Sequence, residues 1–273
     1  MSTAGAAAGA ADARVAIVTG AANGIGRATA ARLVQAGLDV VVADREADTA
    51  RAVAAELATD GRRVVAVDLD VARTDQCAQV VADVERELGR VDVLVNSAGS
   101  FVAQGLEATD EDWERILSVN VRGCAAMVQA VAEPMRRSGG GAIVNVSSVS
   151  AHVAQPGRWT YNASKGAILA LTRCQALDLA ALGIRVNSVS PGWIWTREVA
   201  RAAGGDRARW EPVWGRYAIL GRLGEPAEVA EAIEFLVSPR ASFVTGTDLA
   251  VDGGYLALGP EGDGGGSVFA GDH

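Results

Sequence analysis

The strongest constraint on the fold is a regular alternation of two kinds of segment that begins at Val15. Short, continuous runs of β-branched and other apolar residues alternate with longer stretches rich in Ala and Leu. Continuous apolar runs are typical of strands that are covered on both faces of a parallel sheet. Because strands that alternate with helices form right-handed βαβ units, the sequence predicts an α/β fold with a doubly wound, mostly parallel sheet.

Seven strands and six helices are predicted from this alternation. The strands occupy residues 15–19, 39–43, 63–67, 91–95, 142–146, 184–189 and 248–251, and the helices occupy residues 25–36, 47–58, 75–88, 110–137, 160–182 and 225–237. The composition does not change between the two halves of the chain, so we predict one Rossmann-like domain over residues 14–258. Residues 1–13 and the glycine-rich residues 259–273 are predicted to be disordered tails.

Charge and composition exclude several classes of function. The formal net charge of -8 and the sequence pI of about 4.9 leave no basic stripe for nucleic acid. No apolar run approaches the roughly 20 residues that a membrane-spanning helix needs. Cys77, Cys124 and Cys174 lie far apart without histidine at ligand spacing, so neither disulfides nor a metal site are predicted. We therefore expect no nucleic-acid or membrane partner and a cytoplasmic location.

A glycine-rich turn, residues 19–26, joins the first predicted strand to the first helix. Glycines at such a junction permit a tight turn and let the backbone approach a pyrophosphate, while the helix N-terminus offers free N–H groups. The spacing differs from GxGxxG, and a glycine-rich turn can simply end a strand. The strand before it and the helix after it favour a dinucleotide site. The predicted binding residues are Gly20, Asn23, Gly24, Ile25 and Gly26.

Asp44 follows the second predicted strand, near the distance from the glycines at which an acid binds the adenosine ribose. A carboxylate there accepts a hydrogen bond from the 2′-hydroxyl of NAD, which is worth roughly 1.5–3 kcal/mol. It repels the 2′-phosphate of NADP by an amount on the order of 4 kcal/mol per charge pair. NAD is therefore the predicted cofactor. Arg45 next to it keeps NADP open, because an arginine pairs with that phosphate.

Two further segments follow predicted strands, at the edge where an open α/β sheet binds its ligand. Asp68 and Leu69 come after the third strand, and Asn96 comes after the fourth. The small residues Ala98 and Gly99 would let a cofactor lie close to the backbone. Ordinary turn chemistry explains either segment equally well when it is taken singly.

Tyr161 and Lys165 stand four residues apart at the start of a predicted helix, thirteen residues after Ser148. Residues i and i+4 share a helix face, so the phenol and the ammonium point into the same crevice. Lowering a tyrosine pKa from near 10 to about 7 needs roughly 4 kcal/mol. A neighbouring ammonium and an oxidised nicotinamide ring could supply it, which would make Tyr161 an acid/base near neutral pH.

Together these residues resemble the short-chain dehydrogenase/reductase family, from about Arg14 to Tyr255. The matching positions are residues 19–26, Asp68, residues 96–99, Asn120, Ser148, Tyr161, Lys165, Pro191, Gly192, Thr196 and residues 252–254. The resemblance implies that Ser148 bonds the substrate oxygen, Tyr161 passes the proton, and Lys165 lowers the tyrosine pKa and holds the nicotinamide ribose. It also implies that Asn120 anchors a water of the proton relay and that Thr196 contacts the carboxamide. Pro191, Gly192 and Ile194 complete the implied cofactor site.

The same resemblance implies a homotetramer built on the two longest helices and the C-terminal strand. Ser97 departs from the pattern, since relatives usually carry a second asparagine there. Because serine is also small and polar, we expect only a local change in hydrogen bonding.

Tryptophans are concentrated in the second half of the chain and bear on the substrate. Trp159, Trp193, Trp195, Trp210 and Trp214 all lie between residues 159 and 214. An aromatic cleft suits a cyclic or aromatic substrate. Alternatively, these rings pack a substrate lid at residues 196–217. His152 and Gln155 fall between Ser148 and Tyr161, so they are further substrate candidates, although a loop histidine is often only solvated.

The sequence therefore predicts an NAD-dependent oxidoreductase that acts on a ring-bearing small molecule. It interconverts a secondary alcohol and a ketone, or a cis-dihydrodiol and a catechol, with Tyr161 as general acid/base. One alternative is an NADPH-dependent ketoreductase of the same fold. Another is a nucleotide-binding regulator without turnover, against which the intact set of Ser148, Tyr161 and Lys165 speaks.

Overall fold

The computed structural model describes residues 13–58 and 61–259. They form one seven-stranded sheet in which every strand pair is parallel, in the order β3-β2-β1-β4-β5-β6-β7. The strands are β1 (Val15–Thr19), β2 (Asp39–Asp44), β3 (Val64–Asp68), β4 (Val93–Asn96), β5 (Gly141–Val146), β6 (Ile184–Pro191) and β7 (Asp248–Val251). This architecture confirms the predicted single-domain, doubly wound fold. The predicted tails lie almost wholly outside the described residues.

Helices cover both faces of the sheet. They are α1 (Gly24–Gln35), α2 (Ala47–Leu57), α3 (Thr74–Leu88), α4 (Asp110–Leu117), α5 (Cys124–Arg137), α6 (Trp159–Leu179), α7 (Arg197–Ala202), α8 (Arg207–Gly215) and α9 (Pro226–Val237). Consecutive strand residues face opposite sides, so that Val18 packs into one core with α1 and α9 while Ile17 packs into the other. Both layers are needed because β1 is fully buried.

Two features of the helical layer differ from the sequence prediction. The helix predicted over residues 110–137 contains a π-helical segment, Ser118–Gly123, between α4 and α5. The predicted lid contains two short helices, α7 and α8, whose first turns are capped by the side chains of Thr196 and Asp206. Pro212 lies inside α8, and such a residue argues against a helix at the sequence level.

The strand order reverses between β1 and β4, since the chain first builds outward to β3 and then returns to the other side of β1. Open α/β sheets form their ligand crevice at such a switch point, at the carboxyl ends of the strands. In the part of the chain that the structure describes, no helix has both the length and the apolar character needed to cross a bilayer.

Candidate active site

Ser148, Tyr161 and Lys165 meet at the carboxyl end of β5. Ser148 follows that strand in extended conformation, and Tyr161 and Lys165 lie in the first turns of α6. The Ser148 hydroxyl interacts with the Tyr161 phenol and favours its charged form, and the Lys165 Nζ lies 5.7 Å from the centre of the tyrosine ring. The structure therefore brings together the three residues that the sequence pattern selects.

Without a bound cofactor, the pKa of Tyr161 is raised above the ordinary value of a tyrosine. Burial is the largest cause, and it is opposed by the interaction with Ser148 and by the positive charge of Arg158. The Lys165 ammonium is not among these causes and donates to the Val146 carbonyl at 2.8 Å. Its effect on the phenol beside an oxidised nicotinamide stays a prediction.

Lys165 is the only lysine in the sequence, and it is buried. Burial disfavours the ammonium and lowers the pKa of Lys165 to about 8. Gly99 lies next to the Lys165 ammonium, since a Cβ built on this glycine would be 4.0 Å from the Lys165 Nζ.

Asn120 is placed by the π-helical segment. Its Oδ1 accepts from the Ser100 backbone N–H at 2.7 Å, and its Nδ2 donates to the Ser100 carbonyl at 3.1 Å and to Ser164 Oγ at 3.0 Å. Gly123 ends the segment, and a Cβ there would lie 2.7 Å from the Val71 carbonyl oxygen. A π-helical turn contains one residue more than an α-helical turn and is therefore wider. The wider turn fits here because Gly123, which has no side chain, can approach the loop after β3.

A small cavity of about 10 Å³ lies behind Lys165 and is also lined by Asn96, Asn120 and Thr19. The Oδ1 of Asn96 is buried without a hydrogen-bond partner among the described residues, while its Nδ2 donates to Asn145 Oδ1 at 2.9 Å. Such a cavity is at the lower limit for one water molecule. A water there would satisfy the Asn96 oxygen.

The glycine turn is suited to hold a pyrophosphate. Asn23 precedes α1 in extended conformation without making a side-chain cap, and the first turn of α1 contains no acidic residue. By contrast, capping boxes close the N-termini of α4 and α9. An uncapped helix N-terminus binds anions through its free N–H groups, so the chemistry of this turn fits a dinucleotide phosphate.

Close backbone packing explains why a glycine stands at position 20 and why small residues follow β4. Gly20 has a φ of +67°, and a Cβ there would lie 2.7 Å from the Ala98 Cα. The Thr19 hydroxyl accepts from the backbone N–H groups of Ser97 and Ala98 at 3.2 and 3.1 Å. Ser97 therefore uses its backbone in this contact, so the departure from the family pattern leaves the contact intact.

Asp44 stands at the end of β2, next to the glycine turn. Its carboxylate accepts from the backbone N–H groups of Ala22 at 3.0 Å and Glu46 at 2.9 Å. Glu46 adds a second carboxylate two residues later, and its side chain accepts from Asn23 Nδ2 at 3.4 Å. The ribose end of the crevice is thus negatively charged. Asp68 is exposed and Leu69 is buried at the neighbouring end of β3.

The segment after β6 lies on the opposite side of the crevice. Pro191 ends the strand, Gly192 packs against Asp252, and buried Ile194 forms a parallel bridge with Gly224. The Thr196 Cγ2 lies 3.5 Å from a Cβ built on Gly24, so this segment reaches the glycine turn.

An ion pair that the sequence did not reveal joins the same two sides. Arg197, the first residue of α7, binds the Glu46 carboxylate through both nitrogens at 3.0 and 2.7 Å. Its guanidinium lowers the pKa of Glu46 to about 2. The pairing spans 151 positions of the sequence, so no local pattern predicts it.

Three tryptophans of the lid region stack on one another. Trp193 lies 5.1 Å from Trp214, and Trp214 lies 4.9 Å from Trp210, measured between ring centres. Trp214 therefore stacks on two other tryptophans and is half-buried. The other two candidate tryptophans lie outside this stack. The Arg207 guanidinium lies over the Trp195 ring, 5.3 Å from its centre. Trp159 is 56% exposed.

Two residues missed at the sequence level, Phe101 and Arg158, lie beside the catalytic tyrosine. Phe101 contacts the Tyr161 ring edge-on at 4.8 Å between centres. The Arg158 guanidinium lies over the Phe101 ring at 5.5 Å and over the Trp193 ring at 5.6 Å. Phe101 and Arg158 stand 57 positions apart, and neither belongs to a recognisable motif.

The loop candidates His152 and Gln155 differ in their surroundings. The His152 Nε2 contacts Asp248 Oδ2 at 3.0 Å and Ser190 Oγ at 3.2 Å, so the ring is bonded to β6 and β7. Gln155 Oε1 accepts from Ser150 Oγ at 2.6 Å and from Arg158 at 3.4 Å. Only Gln155 is thus connected to the group beside Tyr161.

The chain resembles known proteins over nearly its full length. Residues 20–256 match the family model described as Enoyl-(Acyl carrier protein) reductase. A cyclopentanol dehydrogenase from Comamonas sp. (strain NCIMB 9872) is 40% identical over 248 residues, which cover 89% of this chain and 97% of that protein. A cis-4-hydroxycyclohexanecarboxylate dehydrogenase from Sinomonas cyclohexanicum is 42% identical over 249 residues, which cover 90% of this chain and 97% of that protein.

A solved structure has the same architecture. It is a 7α-hydroxysteroid dehydrogenase complexed with NADH and 7-oxo glycochenodeoxycholic acid, with a TM-score of 0.83 and 34% sequence identity. The match covers 89% of this chain and 94% of that one.

Proposed function

Because the chain belongs to the short-chain dehydrogenase/reductase family, we propose that it is an NAD-dependent enzyme that interconverts a secondary alcohol and a ketone on a cyclic small molecule. The observation that carries the proposal is the meeting of Ser148, Tyr161 and Lys165 beside an uncapped, glycine-rich helix start. Acid/base groups and a dinucleotide turn in one crevice are what hydride transfer to nicotinamide requires.

The catalytic residues divide the work as follows. The Ser148 hydroxyl binds the substrate oxygen, and Tyr161, as the phenolate, takes the proton that leaves the alcohol and becomes a neutral phenol. Bound NAD supplies the hydride acceptor and a positive charge next to the phenol. Lys165 holds the nicotinamide ribose, and its ammonium favours the phenolate once it turns toward the crevice. Asn120 and Asn96 line the cavity behind Lys165, where a water would relay the proton.

The cofactor is assigned from the charges at the ribose end. The carboxylate of Asp44 favours a ribose hydroxyl and disfavours a 2′-phosphate. Arg197, which could otherwise pair with that phosphate, is bound to Glu46. The residues that would hold NAD are Gly20, Asn23, Gly24, Ile25, Gly26, Asp44, Asp68, Leu69, Asn96, Ala98, Gly99, Tyr161, Lys165, Pro191, Gly192, Ile194 and Thr196.

A ring-bearing substrate is supported by the relatives and by the crevice walls. The two curated relatives are named for cyclopentanol and for a hydroxycyclohexanecarboxylate, both secondary alcohols on a saturated ring. Phe101 provides an apolar ring beside the tyrosine, and Trp193 makes the other ring contact of Arg158. We therefore favour the alcohol and ketone pair over the dihydrodiol and catechol pair. The unpaired cysteines agree with a cytoplasmic enzyme.

The test is turnover of cyclopentanol and cyclohexanol with NAD, followed by NADH absorbance. The wild-type protein should reduce NAD, and Y161F should lose turnover by a factor of about 100 or more, since general acid/base catalysis typically contributes that much. NADH binding should change little in Y161F. Activity on short linear alcohols alone would refute the ring-bearing substrate, and unchanged turnover in Y161F would remove Tyr161 from the mechanism.

A further inference from the structure

Among the described residues, the Arg158 guanidinium beside the catalytic tyrosine has no carboxylate partner, whereas two arginines of the lid do. Arg201 is paired with Glu198, and Arg207 is paired with Glu211 and Glu225. In the part of the chain that the structure describes, the only hydrogen bond of the Arg158 guanidinium is the 3.4 Å contact from Nη1 to Gln155 Oε1. A guanidinium has five N–H donors, so most of them are available to a ligand.

Two aromatic rings contact this cation. Phe101 and Trp193 lie close to the guanidinium, with ring centres 5.5 and 5.6 Å from its Cζ. Contacts with aromatic rings use none of its N–H donors, so the donors stay available to bind a carboxylate. Gln155, the third neighbour of the guanidinium, is itself hydrogen-bonded to Ser150.

Arg158 also lies close to the reacting group. Phe101 is in contact with both Arg158 and the catalytic tyrosine, so one aromatic ring separates the cation from Tyr161. The positive charge of Arg158 is felt at the phenol, where it opposes the effect of burial on the pKa of Tyr161. A small cyclic alcohol bound to Tyr161 would therefore reach Arg158 with a substituent on its far side.

We propose that Arg158 binds the carboxylate of the substrate, so that the preferred substrates are ring-bearing hydroxy acids rather than neutral ring alcohols. Planar, bidentate recognition of a carboxylate is the interaction for which a guanidinium is best suited. This inference rests on the proposed function, because it names the substrate class of the same site. Arg158 acts here as a specificity-determining residue and takes no part in proton transfer.

The test compares the binding of cyclohexanecarboxylate and cyclohexanecarboxamide in the presence of saturating NAD, followed by tryptophan fluorescence. Neither compound carries a hydroxyl group, so binding is measured without turnover. The wild-type protein should bind the carboxylate about tenfold or more tightly than the carboxamide. R158Q should remove this preference, and R158K, which keeps the charge without the planar fork, should retain part of it.

R209Q is the matched control. Arg209 also lies over a tryptophan of the stack, 5.3 Å from the Trp210 ring, and it has no carboxylate partner among the described residues. R209Q should keep the wild-type preference for the carboxylate. The proposal is overturned if the wild-type protein binds both compounds equally, or if R158Q weakens both equally, which would make Arg158 a packing contact between Phe101 and Trp193.

Failure of the proposed function would be seen in a different experiment. If the wild-type protein produces no NADH from either cyclohexanol or cis-4-hydroxycyclohexanecarboxylate, the proposed reaction is refuted, while the carboxylate preference in binding stays measurable. Turnover of cyclohexanol without any carboxylate preference would refute the role of Arg158 alone.

Discussion

At the residue scale, Lys165 holds a positive charge where burial opposes it. Its pKa of about 8 lies below the value near 10.4 of a lysine in an unfolded chain. Between these two pH values the unfolded state binds more protons than the native state, so the free energy of unfolding rises with pH in this window. Below about pH 8 Lys165 is protonated in both states. Burying its charge then lowers the free energy of unfolding by the full amount, roughly 3 kcal/mol.

This prediction can be measured directly because the sequence contains a single lysine. Protein labelled with [¹³Cε]lysine should give one side-chain NMR signal that titrates near pH 8 without cofactor. In urea unfolding, the stability of the wild-type protein relative to K165M should increase by about 1–3 kcal/mol between pH 7 and pH 10. A signal that titrates near pH 10.4, together with a stability difference independent of pH, would contradict the burial argument.

Asp44 carries the second prediction at this scale. D44N keeps one acceptor for the Ala22 and Glu46 amides but removes the charge. We expect kcat/KM for NAD to fall by about 10- to 100-fold, because a hydrogen bond to a charged acceptor is lost, and kcat/KM for NADP to rise. D48N, which neutralises a 97% exposed acid on α2, should leave the ratio unchanged. If D44N keeps the wild-type ratio, the charge of Asp44 does not select the cofactor.

At the scale of elements, the ion pair of Glu46 and Arg197 joins α7 to the loop after β2. Both side chains are more than one third exposed, so water and salt screen the pair, and its contribution to stability is small. The ion pair instead positions α7, because it holds the first residue of this helix against the loop after β2 at the ribose end of the crevice. The carboxylate stays charged well below neutral pH, because its pKa is about 2.

We therefore expect R197Q to accelerate the dissociation of NADH several-fold and to raise KM for NAD, while the melting temperature changes by only a few degrees. Stopped-flow fluorescence of NADH release measures the rate. R201Q, which breaks a more exposed ion pair within α7, is the control and should release NADH at the wild-type rate. Equal rates in both variants would show that the ion pair does not retain the cofactor.

The strands, the glycine turn and the helix that carries Tyr161 could be predicted because each is encoded by a local pattern of about ten residues. The short helices α7 and α8 could not, since the first has six residues and the second contains Pro212. The π-helical turn at Asn120 depends on the close approach of Gly123 to the Val71 carbonyl, which is a tertiary contact.

Side-chain direction was equally inaccessible to sequence patterns. The i,i+4 spacing places Lys165 and Tyr161 on one helix face, but only packing decides that the ammonium points to the Val146 carbonyl. The contact of Arg158 with Phe101 likewise depends on how the loop after β4 folds over α6. Such contacts decide electrostatics and specificity, while the local patterns decide the reaction class.

At the scale of the whole molecule, several large apolar side chains lie on two surfaces away from the crevice. Leu177 is 79% exposed on α6, the longest helix, with 21 residues. Phe243 is fully exposed before β7, and Leu249 is exposed on β7, the terminal strand of the sheet. Exposed apolar groups beside an unpaired strand edge are typical of protein interfaces. We propose that these surfaces form the two interfaces of a homotetramer.

Because a tetramer with two kinds of interface separates into dimers when one kind is lost, L177E and F243E should each give dimers, and the double variant should give monomers. Light scattering after size-exclusion chromatography measures the mass. L106E is the control, since Leu106 is 81% exposed but lies outside both surfaces, and it should remain tetrameric. A monomeric wild-type protein, or a tetramer that survives both charges, would refute this assignment, because a buried unpaired carboxylate is too costly for an interface to retain.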